Sequence, residues 1–291
     1  MSLLRVVSYN IHKGRSLAGR DSLSDLRLGL HGLRPDLMFL QEVQGRNDRY
    51  GALHLQHESL AAALHMECAY GRNAVRPDTD HGNALLSRHK IVSYENQDIS
   101  DHSMEQRGLL HGLIDVGGRE VHCFVVHLGL FAGSRVRQIE VIAERINRMV
   151  PDNAPMLIAG DFNDWRDKLA PLFVKQLGVY EVFAHAPRTH GMMPKLRESM
   201  QQLGGVLRGE SAEEIGIAMF RRQHSRVNQL PAEGAGSLSP SPRTFPAAFP
   251  WLRLDRIYHR GFAVRSARVL RGRPWTKLSD HAPILAELEL P

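Results

Sequence analysis

Apolar positions along the chain come in short runs separated by polar and turn-forming residues. LRVVSY (4–9), DLMFLQEV (36–43), GNALLS (82–87), LLHGLIDV (109–116), VHCFVVHL (121–128) and APMLIAG (154–160) lead the series. LDRIYH (254–259), AVRSARVL (263–270) and APILAELEL (282–290) close it. They are short, rich in Val, Ile and Leu, and several alternate with period two, so they predict strands. Other stretches carry the helical period. Residues 22–34 place Leu23, Leu26, Leu30 and Leu33 on one face, with Ser22 and Asp25 set as a capping box. Residues 134–150 place Ile139, Ile142, Ile146 and Met149 behind a Ser134 cap. Residues 165–178 place Leu169, Leu172, Phe173 and Leu177, with Trp165 starting that helix and packing in the core. Many strands, several helices and no long strand–helix–strand repeat predict a layered α/β sandwich.

Residues 185–243 break this rhythm. Leu196, Met200, Leu203 and Leu207 form a helical stripe, a second pattern runs from Ile215 to Phe220, and PAEGAGSLSPSPR (231–243) reads as a mobile linker. Between 188 and 230, Arg188, Lys195, Arg197, Arg208, Arg221, Arg222 and Arg226 outnumber Glu198, Glu210, Glu213 and Glu214 by three. The chain is therefore expected to be one domain, 1–291, carrying a basic insertion at 185–243.

Composition narrows the class. With 43% hydrophobic and 23% charged residues, the 291-residue chain has the make-up of a globular protein with room for a large core. No apolar run approaches a membrane span, and MSLLRVVSYNIHKG lacks the apolar stretch and small-residue cleavage site of a signal peptide. Cys68 and Cys123 are too few for a disulfide framework and lack metal-binding spacing, so they are expected to be reduced and buried in a cytoplasmic protein. Lys plus Arg exceed Asp plus Glu by 37 to 31, a balance that suits an anionic partner but is common without one.

The residues capable of chemistry fall at strand ends. Asn10 follows VVSY, Glu42 follows LMFLQ, His127 follows HCFVV, and Asp161 and Asn163 follow MLIAG. Asp255 opens RIY, and Asp280–His281 precede APILAEL. Strands of a sheet deliver their ends to a common rim, so these groups can meet in one crevice. Oxygen donors without cysteine suit a hard divalent ion, Mg²⁺ or alternatively Mn²⁺, over Zn²⁺. Nearby histidines suit proton transfer or stabilisation of an anionic transition state. Taken singly, each has a plainer explanation: a turn cap, a solvated edge, a core histidine or an Asx turn. Those explanations leave unaccounted why all of them sit at strand ends.

In that order, SYNIHKG (8–14), LQEV (40–43), HL (127–128), GDFND (160–164), LDRIY (254–258) and LSDHAPI (278–284) resemble the endonuclease/exonuclease/phosphatase superfamily, which has the deoxyribonuclease-I-like fold. The resemblance runs from end to end with 185–243 outside it. It implies a four-layer α/β/β/α sandwich of two mixed sheets flanked by helices. It also implies roles: Glu42 as the principal metal ligand with help from Asn10 and Asp280, and Asp161 positioning or deprotonating the attacking water beside Asn163. His281 and His127 would contact the phosphate, and Asp255 would orient and charge His281. The chain departs from the apurinic endonucleases at His12, where they carry an acid, which weakens the repair-nuclease reading.

The expected activity is a metal-dependent phosphodiesterase acting on a small or phospholipid-linked phosphodiester. A Mg²⁺-dependent DNA nuclease and a non-catalytic binding module of the same fold are the alternatives. Phe245, Phe249 and Trp251 either floor the cleft or pack in the core, and Arg107 is either a phosphate contact or a solvated arginine. The basic segment 185–230 suits an anionic membrane surface, a lid over the active site, a partner, or nothing specific. A monomer in the cytoplasm, with access to a membrane surface, is expected.

Overall fold

The computed structural model describes residues 2–186 and 241–291. Twelve strands among them form two six-stranded mixed sheets. The first contains β1 (Ser2–Asn10), β2 (Leu37–Asn47), β3 (Glu67–Val75), β4 (Thr79–Ser87), β11 (Ala263–Val269) and β12 (Ile284–Leu290), in the order β11-β12-β1-β2-β4-β3. The second contains β5 (Lys90–Asp98), β6 (Gly108–Val116), β7 (Arg119–His127), β8 (Met156–Asp161), β9 (Tyr180–Glu181) and β10 (Asp255–Arg260), in the order β5-β6-β7-β8-β10-β9. Each sheet has one parallel pair at its centre, β1 with β2 and β7 with β8, and antiparallel neighbours on both sides.

Period-two alternation splits every central strand between two apolar layers. Val6, Phe39, Leu85, Cys123, Val125, Leu157 and Ile257 point between the sheets into one buried cluster. Val7, Met38 and Leu40 point the other way, onto α1 (Leu23–Leu33) and α2 (Gln56–Leu64). Phe124, Val126 and Ile158 point outward onto α3 (Ala132–Met149) and α4 (Ala170–Leu177). A four-residue helical turn, α5 (Val182–His185), follows β9. The result is the helix/sheet/sheet/helix sandwich. No helix of the described residues is long and apolar enough to cross a membrane.

All nine expected strands are present. β3, β5 and β9 are additional, and β5 shows why: its exposed edge face spells KIVSYENQD, too polar to read as a buried strand. Helix starts differ from expectation. Ser22 makes no cap; its hydroxyl donates to the Leu278 carbonyl at 2.6 Å, while the Asp21 carboxylate receives the Leu23 amide at 2.9 Å. Ser134 lies inside α3, which begins earlier, and its hydroxyl donates to Asp101 at 2.7 Å. Met149 is largely exposed instead of facing the core. The helix expected at 165–178 begins only at Ala170, and Trp165 stands outside it. Of the expected insertion, residues 187–240 lie outside the described residues.

Candidate active site

The parallel pairs decide where the chemistry gathers. β1, β2, β7 and β8 carry their C-terminal ends to one rim, and the antiparallel β10 and β12 begin at that same rim. Register then does the fine placement: His127 pairs with Asp161 across β7 and β8, and Asp161 pairs with Asp255 across β8 and β10. Three functional side chains thus stand in a row on neighbouring strands. On the other sheet Asn10 pairs with Gln41, and Glu42 follows at an irregularity in the β2–β4 pairing with φ of 52°. Bulged and left-handed backbone of this kind turns a side chain out of its strand's alternation, and it concentrates at working sites. His12, Lys13 and Asn163 share the left-handed conformation.

The cleft at this rim has a volume of about 390 Å³. Glu42, His127, Asp161, Asn163 and His281 line it, so five of the eight residues singled out from the sequence face the space directly. Asn10 and Asp255 stand behind them, almost wholly buried. The Asn10 amide nitrogen lies 3.3 Å from Glu42 Oε1 and 3.2 Å from Asp161 Oδ2, tying the two sheets' acids together. Asp161 Oδ1 accepts the Asn163 amide at 3.0 Å, and the Asn163 side chain donates to the Leu128 carbonyl at 2.9 Å. The Asp280 carboxylate lies 3.2 Å from Ser279 Oγ and 3.7 Å from His12 Nδ1.

The two histidines differ in charge. His281 Nδ1 meets Asp255 Oδ2 at 2.9 Å, and its Nε2 lies 3.6 Å from Asp161 Oδ2. Burial opposes charging this ring, but Asp255 and Asp161 outweigh it and push its pKa up to about 10. His127 Nε2 is also 3.6 Å from Asp161 Oδ2, yet burial and the Arg107 guanidinium bring its pKa down to about 4. At neutral pH one imidazolium and one neutral imidazole therefore flank the same carboxylate. Burial also opposes ionisation of Glu42, but His127, the Lys13 ammonium and the Asn10 amide hold its carboxyl below the usual range. With His127 neutral at pH 7, Lys13, 2.6 Å from Glu42 Oε2, is the cation that matters there.

Asp161, Asp255 and His281 bring potential ligand atoms within 4.8 Å of one another. His281 Nδ1 is engaged by Asp255 at 2.9 Å and its Nε2 faces Asp161, so the two carboxylates bracket this ring. Glu42, with Asn10 beside it, faces the cleft with oxygen donors and no thiol, which fits a hard divalent ion.

Several lining residues have no strand-end acid signature. Lys13, His81, Arg107, Leu130, Trp165, Phe245, Leu252 and Leu254 complete the walls. The Phe245 ring is 5.0 Å from that of His281, so Phe245 is a cleft residue, while Phe249 and Trp251 are exposed and belong neither to the core nor to the lining. Arg256 was also missed. Fully buried on β10, it donates to the Asp164 carbonyl at 2.8 Å, Ser241 Oγ at 3.1 Å and the Asp167 carboxylate, clamping the loop that follows Asp161. Asp164 is part of that clamp: its carboxylate receives the Leu169 amide at 2.8 Å.

The profile of the Endonuclease/Exonuclease/phosphatase family matches residues 7–281. The Escherichia coli (strain K12) protein described as "Uncharacterized protein YbhP" is 36% identical, covering 98% of this chain and 96% of that one. Among solved structures, an endonuclease/exonuclease/phosphatase from Bacteroides vulgatus superposes with a TM-score of 0.68 at 15% identity, covering 100% of both chains. The human Nocturnin catalytic domain with bound sulfate anion gives 0.64 at 19%, covering 99% of this chain and 94% of that one.

Proposed function

The chain belongs to the endonuclease/exonuclease/phosphatase family, and on that footing we propose that it is a metal-dependent phosphodiesterase that hydrolyses a small or phospholipid-linked phosphodiester by water attack. The observation that carries this reading is Asp161 set between a charged and a neutral histidine, with Glu42 tied to it through Asn10.

A phosphodiester resists attack because its negative charge repels the nucleophile. Mg²⁺ or Mn²⁺ held by Glu42 with Asn10 would act as a Lewis acid on a phosphate oxygen and offset that charge. Asp280, engaged with Ser279 and His12, would support this end of the site through the loop before β12. Asp161 orients the attacking water and takes its proton; the Asn163 amide fixes the other carboxylate oxygen and so sets the direction of attack. His281 donates a charged hydrogen bond to the phosphate as charge builds, and Asp255 keeps that ring charged and pointed. His127 contributes a neutral hydrogen bond on the opposite side of Asp161. We further propose that the chain works as a monomer. It is placed in the cytoplasm with access to a membrane surface, and the basic segment 185–230 remains a candidate for that contact.

Hydrolysis of bis(p-nitrophenyl) phosphate, anionic phospholipid vesicles, supercoiled plasmid and an abasic oligonucleotide, each with Mg²⁺ and with chelator, tests this reading. The expected outcome is chelator-sensitive cleavage of the soluble diester and release of a lipid headgroup. Glu42→Gln and His281→Ala should each lose on the order of 10² to 10⁴ in rate. Metal- and His281-dependent cleavage of plasmid or abasic DNA, with lipid untouched, would make the chain a nuclease instead.

A further inference from the structure

Large apolar side chains stand in water around the mouth of the cleft. Leu130 and Phe131, on the turn into α3, are each 55% exposed, and Met104 on the adjoining loop is 77% exposed. Across the cleft, Phe249 is 80% and Trp251 58% exposed on the hairpin closed by the Phe245–Leu252 bridge. Both tips are anchored. The Glu105 carboxylate receives the Leu130 amide at 3.1 Å, and the His102 ring packs 5.5 Å from that of Phe131. On the opposite side the Ala247 amide donates to the Asp280 carbonyl at 2.6 Å, holding the hairpin to the catalytic loop. Leu130 lines one wall of the cleft and Phe245 and Leu252 the other, so the two tips project from the walls of one opening.

Exposed apolar groups scattered singly need no explanation, but a set gathered around a binding cleft marks a contact surface. Three features select its occupant. The tips mix Met, Leu, Phe and Trp, a composition that suits the edge of a hydrocarbon layer, whereas base stacking uses aromatic rings alone. Exposed cations lie beside them: Arg166 and Lys168 follow Trp165, and Arg271 bonds the Arg243 carbonyl at the base of the hairpin. Cations in that position are drawn to anionic headgroups. Finally, a cleft of about 390 Å³ takes a headgroup-sized ester and leaves acyl chains outside, where the tips would meet them.

We propose that Met104, Leu130, Phe131, Phe249 and Trp251 dock the mouth of the cleft on an anionic lipid bilayer, so that the phosphodiester enters from the membrane surface. This deepens the phosphodiesterase reading and rests on it. It assigns membrane contact to the catalytic rim and does not call on the segment 185–230.

The test uses the full chain in chelator, with sedimentation of phosphatidylcholine vesicles with and without phosphatidylglycerol, and with a fluorescent single-stranded oligonucleotide as the competing ligand. The wild-type chain should bind the mixed vesicles, less tightly at high salt, with a blue shift of tryptophan emission. The double variant Phe249→Ala/Trp251→Ala should bind them at least about tenfold more weakly. Phe131→Ser, on the other tip, should weaken binding in the same direction. None of these three side chains lines the cleft, so both variants should still hydrolyse bis(p-nitrophenyl) phosphate with Mg²⁺, which also reports that they fold. Absence of vesicle binding by the wild-type chain, or equal binding by the variants, overturns the proposal. So does oligonucleotide binding that the variants lose while vesicles are ignored, which gives the rim to bases. Failure of the wild-type chain on the soluble ester overturns the phosphodiesterase reading alone, since vesicle binding is read without turnover.

Discussion

At the scale of single residues, two carboxylates around one imidazole set the behaviour of the site. Asp255 and Asp161 keep His281 protonated, so activity that uses its charge should persist through neutral pH and fall only as pH approaches about 10. Asp255→Asn removes the closer partner. The alkaline limb of the rate profile should then move to lower pH, and an NMR titration of the His281 ring should show its pKa falling. The same shift governs stability. Because the folded pKa lies above the unfolded value of about 6.5, the stabilisation is complete below that value and is lost as pH rises through about 10. Wild-type Tm should fall over this window, and Asp255→Asn should flatten the dependence. Asp255, Asp161 and His281 could be singled out in the sequence because together they fall at strand starts and ends, in the order that resembles the family, although each alone had a plainer explanation. The contrast between His281 and His127 was not legible. It arises because burial prevails at His127, with Arg107 adding to it from another strand start, whereas Asp255 and Asp161 outweigh burial at His281.

At the scale of elements, the approach of β7 to β8 depends on Gly160. Its φ of 152° is rare for residues with side chains, and a Cβ there would overlap the Val126 carbonyl of the neighbouring strand. Gly160→Ala should therefore push the strands apart just where His127 pairs with Asp161. A loss of about 1–3 kcal/mol in denaturant unfolding is expected, the range of an overpacked site. Hydrolysis should drop further than stability explains, because Asp161 is the next residue. The run MLIAG followed by acids announced a strand and a turn, but the reason for the glycine becomes visible only with the parallel neighbour in place. Arg256 escaped notice for a related cause. In the run LDRIYH it looks like the exposed member of an alternating strand, yet it faces Asp164 and Asp167, which the chain supplies some ninety residues earlier. Ser22 and Ser134 fit a local cap pattern, but their hydroxyls were claimed by Leu278 and Asp101, partners that local pattern does not reveal. Trp165 was drawn into a helix because the apolar spacing continued back from Leu169, whereas the turn held by Asp164 delays the helix to Ala170.

At the scale of the whole molecule, the site joins both sheets. Glu42 and Asn10 come from one, and Asp161, His127 and Asp255 from the other, with Asn10 bonded across to Asp161. A divalent ion held on the Glu42 side should therefore stabilise the assembly. Mn²⁺ at about a hundred times its Kd adds about 2.7 kcal/mol, which a thermal melt should register as a rise of several degrees. Glu42→Gln should abolish the rise, and chelator should reverse it in the wild-type chain. Strands at the centre were foreseeable as short apolar runs buried on both faces, and the four-layer sandwich was what the family resemblance implied, while the edge strand β5 and the two-residue β9 carry too little pattern to announce themselves. Register and strand order also fix when the centre can first exist. β1 is flanked by β2 on one side and by β12 on the other, and Asp255 and His281 arrive with the closing segments of the chain. During synthesis, a chain that has reached only β8 holds Glu42 and Asp161 without the imidazolium that Asp161 and Asp255 bracket. The centre is thus completed only as β12 seats against β1, because that pairing brings His281 to the rim beside Asp161.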